Sequence, residues 1–567
     1  MTVGKAKDSC EKCELDYVSF NGIKVPKVAF PDPKDIVETL RFLLEEGLPG
    51  MFPFANGVYP LRREKGYETT RQFAGLRLAE HTNERFHFLS KGVKFPRLST
   101  AFDGITLYGD DSDTDPGSIG KIGEGGVAID TLEDMKRLYK GFDFTKTSTS
   151  MTINGPAPIL LAMYFNVVTD AMIENYKKEH PEEELTPEKI EAIKDETYRL
   201  MRGTVQADIL KEVQAQNECI FQLDFAIKLM GDVEEFFVKK DIKKFYSISI
   251  SGYHIGEAGA TPIQEMAYTI ANGFTYLENF MARGMSVDDV APNFSFFFRC
   301  SHELEWLALG PVLRKIWAIA LRDVYKGNER SQMFKYHTQT SGRALQTQEW
   351  DTLNPIRQTL HALIALLGNT NSLHVDSADE PITTPSQKYV RQATMIPNYL
   401  TLEAEFFKIQ NLLSGSYGMR ILKKQVQEAI LRELERIDQE GGVAAATEVG
   451  YQRSQIAEAS CNYEHDIFFK RRPIIGRNMF VHEGEEAIPE AELMRPTAED
   501  WDKQIKRTQA FKEKNKEKAV YYLKRLKEVA LSGGNVFEEL LTTVRYATLG
   551  QISEALKEVG GSYSQMI

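Results

Sequence analysis

Between residues 95 and 385 short β-rich runs alternate with longer helical stretches. The runs are Arg97 to Phe102, Thr147 to Ile153, Phe245 to Ser251, Phe294 to Phe298, Tyr336 to Ser341 and Ser372 to Ser377. Repeated strand-then-helix units predict a parallel α/β architecture, and this many within one segment predict a (β/α)8 TIM barrel rather than an open sheet. Two runs carry hydroxyls at period two. In TSTSMTI, Ser148, Ser150 and Thr152 share a face; in YSISIS, Ser247, Ser249 and Ser251 share one, with Tyr246, Ile248 and Ile250 opposite. Barrel interiors are ordinarily filled by bulky branched side chains, so an inward hydroxyl face would leave a channel for a slender polar ligand. Turned outward, the same pattern is only a polar surface, and alternation alone leaves both open.

The flanks read differently. Residues 1–45 form a charged, Pro-punctuated arm ending in the amphipathic stretch Ile36 to Leu43, before the turn residues Gly47, Pro49 and Gly50. Residues 46–400 hold the barrel, and residues 401–567 read as a helical region with charged patterning from Gln425 to Glu440 and from Trp501 to Leu531. The lysines from Lys503 to Lys527 alternate with Glu and Asp, as on a solvated helix face. No run approaches the roughly 18 consecutive apolar residues of a membrane span, Pro156 to Phe165 being the richest. No apolar segment follows the first lysines, so the expectation is a soluble cytoplasmic protein without a secretory signal.

Charged residues at 26% and hydrophobic residues at 42% of 567 exclude a disordered or fibrous chain. A formal charge of -12 makes nucleic acid an unfavourable partner. Five scattered cysteines form no disulfide framework, and Cys10 with Cys13 makes a lone CxxC, weak evidence for zinc. In the loop DDSDTDPGSIGKIGEGG, Asp111, Asp113 and Asp115 have EF-hand spacing, but Pro116 and Ile122 replace the required glycine and glutamate. The loop is no P-loop either, and Gly123, Gly125 and Gly126 read as allowing close backbone approach to a ligand. His302-Glu303 and His482-Glu483 lack the second histidine of HExxH. Polar residues at strand ends remain: Tyr253-His254, His337 with Gln339, and Glu380. Each alone reads more readily as a buried structural group, but together they lie where barrel enzymes place their chemistry.

The strings TTRQFAGL, RLSTAFDGITLYGDDSD, TSMTINGPAPILLAMY, RGTVQADILKE, SISISGYHIGEAGA, HTQTSGRAL and SLHVDSADE, with GGNVFEELL and LGQISEALKEVGG near the end, resemble the substrate-binding barrel of the adenosylcobalamin-dependent acyl-CoA mutases, the methylmalonyl-CoA mutase family. The resemblance runs through nearly all of the chain beyond residue 45 and implies a barrel that accommodates the pantetheine arm of coenzyme A among Ser and Thr side chains. It implies acyl-CoA contacts at Tyr59, Thr69, Arg71, Ser99, Ser150, Thr152, Thr204, Gln206, Ser295 and Gln339. It places Phe102, Gly125, Gly342, Asp376 and Glu380 near the corrin or adenosyl group, and His254 at the thioester carbonyl.

Two positions choose the acyl group. Methylmalonyl-CoA mutases grip the substrate carboxylate with a Tyr and an Arg where this chain has Phe73 and Gln216, the pair typical of isobutyryl-CoA mutases. Burying a carboxylate without that arginine would cost about 3–5 kcal/mol. The 2-hydroxyisobutyryl-CoA mutases are similar but carry Ile in place of Phe73 and Asp in place of Ala101. Three departures from the family pattern stand out: Asp376 where Asn is usual, Asn293 where methylmalonyl enzymes have Arg and isobutyryl enzymes Asn, and NLLSGSY in place of NPW-x-GSY.

No histidine has an aspartate two residues before it, so the Asp-x-His-x-x-Gly motif that ligates cobalt is missing. The resemblance therefore implies the large catalytic subunit of a split isobutyryl-CoA mutase, without the flavodoxin-like cobalamin domain. Its expected partners are a small cobalamin-binding subunit, in a heterotetramer of two large and two small subunits, and a G-protein chaperone. The implied reaction is a radical 1,2-shift of the thioester group that interconverts isobutyryl-CoA and n-butyryl-CoA. The alternatives are a mutase for pivalyl-CoA, isovaleryl-CoA or 2-hydroxyisobutyryl-CoA, a cobalamin-independent barrel lyase or aldolase, and a non-catalytic acyl-CoA holder.

Overall fold

The structure is a computed structural model that describes residues 16–18, 24–28, 30–60, 70–114, 116–405, 408–481 and 493–563. The chain folds as two compact units, each assembled from separated stretches. One comprises Met1–Thr70, Gly252–Phe274 and Ser295–Glu490, the other Arg71–Ser251, Thr275–Phe294 and Ala491–Ile567.

In the second unit the strands Gln72–Ala74, Arg97–Ala101, Ser148–Thr152, Gly203–Val205 and Phe245–Tyr246 pair in parallel in chain order. Their register makes Phe73, Ser99, Ser150, Thr204 and Tyr246 successive neighbours, so one row of side chains crosses a single face of the sheet. On Ser148–Thr152 the hydroxyls of Ser148, Ser150 and Thr152 are half-buried, while Thr149 and Met151 are buried. Thr149 meets Tyr164 of the helix Ala157–Glu179. Helices thus cover the Thr149 side, and the hydroxyl row lies on the other.

The second hydroxyl run departs from the reading of the sequence. The strand is interrupted at Ser247, which separates Phe245–Tyr246 from Ile248–Ser251. Tyr246 takes the place beside Thr204, and Ser247 lines a small cavity with Ile248, Val205 and Ala207. One irregular residue shifts the alternation by a position, so Tyr246 joins the hydroxyl row and Ser247 leaves it. Gln72–Ala74 and Gly203–Val205, each three residues long, gave no periodic signal.

The helix Ala157–Glu179 is long and apolar enough to cross a membrane, yet it is a core element, with residues 157–169 all buried. It packs on the helices Leu132–Leu138, Pro187–Leu200, Leu223–Lys239 and Val536–Thr543, which explains apolar residues on every side. Phe165 lies 5.8 Å, centroid to centroid, from each of Phe237, Phe245 and Phe537. Buried acids fasten the C-terminal helices. Asp130 accepts from Gln504 at 2.9 Å and Thr508 at 2.5 Å, and Asp111 from Thr548 Oγ1 at 2.6 Å and the Gly550 N–H at 2.8 Å. Lys512 pairs with Asp111 at 3.0 Å and Asp113 at 2.5 Å, so two of the three EF-hand-spaced aspartates hold a protein cation, Asp115 lying outside the described residues.

In the first unit Phe294–Cys300, Tyr336–Thr340 and Ser372–His374 are parallel neighbours. Their register aligns Phe297, His337 and Ser372 in one row and Arg299, Gln339 and His374 in the next. The amphipathic end of the arm forms the helix Ile36–Glu45, which meets the helix Tyr417–Gln439 through Glu38–Arg420 and, just past its end, Glu46–Lys423 ion pairs.

Glu234 on the helix Leu223–Lys239 is buried in the second unit with Ser247 and Asn293 as polar neighbours, and loss of solvent pushes its carboxyl from 4.5 up to about 7. The folded state then holds this proton more tightly than the unfolded chain does. The group is neutral at no penalty below pH 4.5 and costs stability as pH rises toward 7, by about 3 kcal/mol at most. Glu234→Gln should raise the unfolding midpoint more at pH 8 than at pH 5 in paired denaturant melts; equal effects would mean that Glu234 titrates normally.

Candidate functional site

Two clusters, one in each unit, contain the residues singled out in the sequence. In the second unit Phe73, Ser99, Ser150 and Thr204 stand in the row described above, while Thr152 pairs with Ala101 one level along. Gln206 is 3% exposed, and its Oε1 has no hydrogen-bond partner among the described residues. Arg71 enters the first strand with its guanidinium held at about 10, below the usual value, by burial and by the neighbouring Arg97. Its Nη1 also lacks a partner among the described residues. A desolvated guanidinium nitrogen and an unsatisfied amide oxygen are positions where a polar, anionic ligand would recover hydrogen bonds.

Gln216 ends a short irregular helix. Asp208 accepts from the Ser251 N–H at 2.6 Å and from Tyr276 Oη at 2.7 Å and caps Ile209–Lys211. Glu212–Gln216 then forms a π-helical turn closed by Asn217 in a left-handed conformation, φ 63°. Such turns recur at functional sites, where they re-aim a side chain. Lys211 and Glu212, both fully buried, pair at 2.5 Å, and the Lys211 ammonium donates to Gln216 Oε1.

In the glycine-rich loop, an added Cβ would meet the Arg77 backbone at 2.6 Å from Gly123 and the Phe102 backbone at 2.2 Å from Gly126. Those two glycines admit protein backbone rather than a ligand, correcting the reading of the loop. Gly125, at φ 66°, faces open space, while Phe102 is only 3% exposed.

In the first unit His254 lies on the short helix Tyr253–Glu257. The Tyr253 ring stacks on Phe297 at 4.9 Å, and the His254 ring meets the same phenyl edge-on at 5.8 Å, which fixes both side chains. The Gln339 amide donates to Tyr253 Oη at 2.9 Å and to Asp376 Oδ1 at 2.8 Å. Glu257 accepts from Ser341 Oγ at 2.6 Å and from the Arg343 N–H at 2.8 Å. Burial, then the charges of Glu380 and Glu257, drives the Asp376 carboxyl well above the carboxylate range. Loss of solvent around its carboxyl, then Asp379 and Glu257, raises Glu380 as well, although the residue as a whole is exposed at the rim of this cluster. Asp376 Oδ2 has no partner among the described residues, and a Cβ on Gly342 would lie 3.4 Å from Glu257 Oε2 and 3.8 Å from Asp376 Oδ2. Gly342 thus leaves room beside acceptors that a hydroxyl-rich group could satisfy.

Among the remaining positions, Ser295 is 8% exposed and Tyr59 is 43% exposed. Thr69, Cys10, Cys13 and His482 lie outside the described residues. Reading the sequence missed Glu257, Lys211 and Glu212. Glu257 was signalled by its place one helical turn after His254, whereas the buried Lys211–Glu212 pair had no signal in a run of ordinary helical residues.

A family model described as methylmalonyl-CoA mutase matches residues 19–178 and 191–562. A fused isobutyryl-CoA mutase of Geobacillus kaustophilus is 50% identical over 566 residues, 99% of this chain and 52% of that protein. Another from Paraburkholderia xenovorans is 47% identical over 563 residues, 99% of this chain and 44% of that protein. A 2-hydroxyisobutanoyl-CoA mutase large subunit from Aquincola tertiaricarbonis is 34% identical over 537 residues, covering 94% of this chain and 90% of the relative. The chain spans about half the length of the fused relatives it matches. With its parallel strands, hydroxyl row and family match across most of its length, the chain belongs to the methylmalonyl-CoA mutase family, a family of isomerases of the intramolecular-transferase type.

Proposed function

We propose that this chain is the acyl-CoA-binding, catalytic part of a coenzyme-B12-dependent carbon-skeleton mutase that interconverts isobutyryl-CoA and n-butyryl-CoA, and that its parallel strands belong to one (β/α)8 barrel. The observation that carries the substrate is the pairing of Phe73, seated in the hydroxyl row, with Gln216, whose side chain is tied to a buried lysine. A phenyl and an amide suit an uncharged branched acyl group and provide no cation for a carboxylate. The names of the fused relatives favour the same substrate. The relative acting on the 2-hydroxy thioester favours a second reading, but Ala101 has no group to receive that substrate's hydroxyl.

Ser99, Ser150, Thr152, Thr204 and Gln206 would hydrogen-bond the amide-bearing arm of coenzyme A, and Arg71 would meet its anionic end. His254 would donate to the thioester carbonyl and orient the migrating group, a contribution of position and electrostatics. Asp376 and Glu380, with the space at Gly342, would hold the adenosyl portion of adenosylcobalamin, which when bound supplies the organic radical that initiates rearrangement. The cobalt ligand comes from outside these 567 residues, since no histidine here stands in Asp-x-His. We assign it to a separate small subunit, an arrangement favoured by the large-subunit relative. The fused relatives favour a module on the same polypeptide.

The deciding experiment combines this chain with a cobalamin-binding subunit and adenosylcobalamin and follows n-butyryl-CoA formed from isobutyryl-CoA by gas chromatography. No product, or equal product without the corrin, would remove the assignment. His254→Ala should lower turnover about 10²–10³-fold while acyl-CoA affinity changes little. Unaltered turnover would exclude His254 from the reaction. Phe73→Ala should raise pivalyl-CoA and isovaleryl-CoA turnover relative to isobutyryl-CoA by about tenfold or more, and an unchanged ratio would mean that Phe73 does not select the acyl group.

A further inference from the structure

Around Gln216 the second unit gathers three charged side chains within eight residues. Lys211 and Glu212 form the buried pair, and Lys211 also donates to Gln216 Oε1. With the Gln216 carbonyl oxygen accepting from Lys211, its amide also interacts with the half-buried Glu218, two residues along the chain. Glu218 is positioned in turn by its own N–H, which donates to Glu212 Oε2 at 3.0 Å. One ammonium faces two carboxylates, and the neighbouring Tyr108 phenol adds no cation. The Gln216 surroundings therefore carry a negative surplus.

We propose that Glu218 is a specificity-determining residue whose carboxylate rejects acyl groups ending in a free carboxylate, and that Lys211 is the positioning residue that keeps the Gln216 amide turned toward it. The proposal rests on the reading of Gln216 as an acyl contact. A pocket without an arginine only fails to attract a carboxylate, whereas a fixed like charge repels it, and discrimination is set by such repulsive elements as much as by attractive ones. One consequence is that Gln216→Arg alone creates no carboxylate site, because Glu218 takes the new guanidinium as its own partner.

The test titrates isobutyryl-CoA and succinyl-CoA, the latter carrying a terminal carboxylate, into the full chain by calorimetry. Glu218→Gln, Glu218→Asp, Gln216→Arg and the double variant Gln216→Arg with Glu218→Gln are compared. The readout is the ratio of the two affinities, which loss of folded protein does not move. Glu218→Gln should narrow the preference for isobutyryl-CoA about tenfold, and Glu218→Asp should retain that preference. Gln216→Arg should still favour isobutyryl-CoA, and the double variant should favour succinyl-CoA. A Glu218→Gln ratio equal to that of the unmodified chain, or a Gln216→Arg variant that prefers succinyl-CoA, overturns the proposal and leaves the acyl-CoA reading standing. If the unmodified chain binds neither thioester, both fall.

Discussion

A sheet face lined by serine and threonine forgoes the branched aliphatic packing that normally stabilises parallel strands. Ser99, Ser150 and Thr204 each contribute a hydroxyl where a valine or isoleucine would add burial, so the second unit finds its cohesion on the opposite face and in the aromatic cluster around Phe165. Hydroxyls at that spacing are able to hydrogen-bond a polar ligand, whereas aliphatic side chains would only fill the space.

The first unit stores a different kind of cost. Burial, with Glu380 and Glu257 nearby, raises the proton affinity of Asp376, and burial, with Asp379 and Glu257 nearby, raises that of Glu380; Gln339, Ser341, backbone N–H groups and His374, 3.5 Å from Asp376 Oδ1, are among the groups that offset this acidic cluster. Acidic groups held in this way cluster where a ligand is to be met by acceptors, since a protein built for stability alone would pair them with cations. The fully buried Lys211–Glu212 pair in the second unit belongs to the same economy: paired burial adds little net stability, but it fixes orientation.

Much of this was legible in the amino-acid order. The parallel α/β character, the hydroxyl face of Ser148–Thr152 and the roles of Tyr253, Gln339 and Glu380 as strand-end polar groups follow from period-two patterning and from the position of chemistry on such sheets. Ser247 was misplaced because an interruption of one residue leaves no trace in composition, yet it exchanges the faces of Tyr246 and Ser247. The glycines at 123 and 126 were assigned to a ligand because sequence cannot distinguish close approach to a cofactor from close approach to the chain's own backbone. The membrane-length helix Ala157–Glu179 shows the same limit, since apolar residues on all sides signal burial without naming what buries them.

The ion pair of Lys512 with Asp111 and Asp113 joins residues some four hundred positions apart, and Asn166 likewise donates to Leu541 O at 2.8 Å. During synthesis the early strands and the helix Ala157–Glu179 leave the ribosome long before the segment that covers them, so their apolar surface stays uncapped while more than three hundred further residues are made. Acquisition of the native unit thus waits on synthesis of that later segment, and nascent chains of this kind become natural clients for holding chaperones.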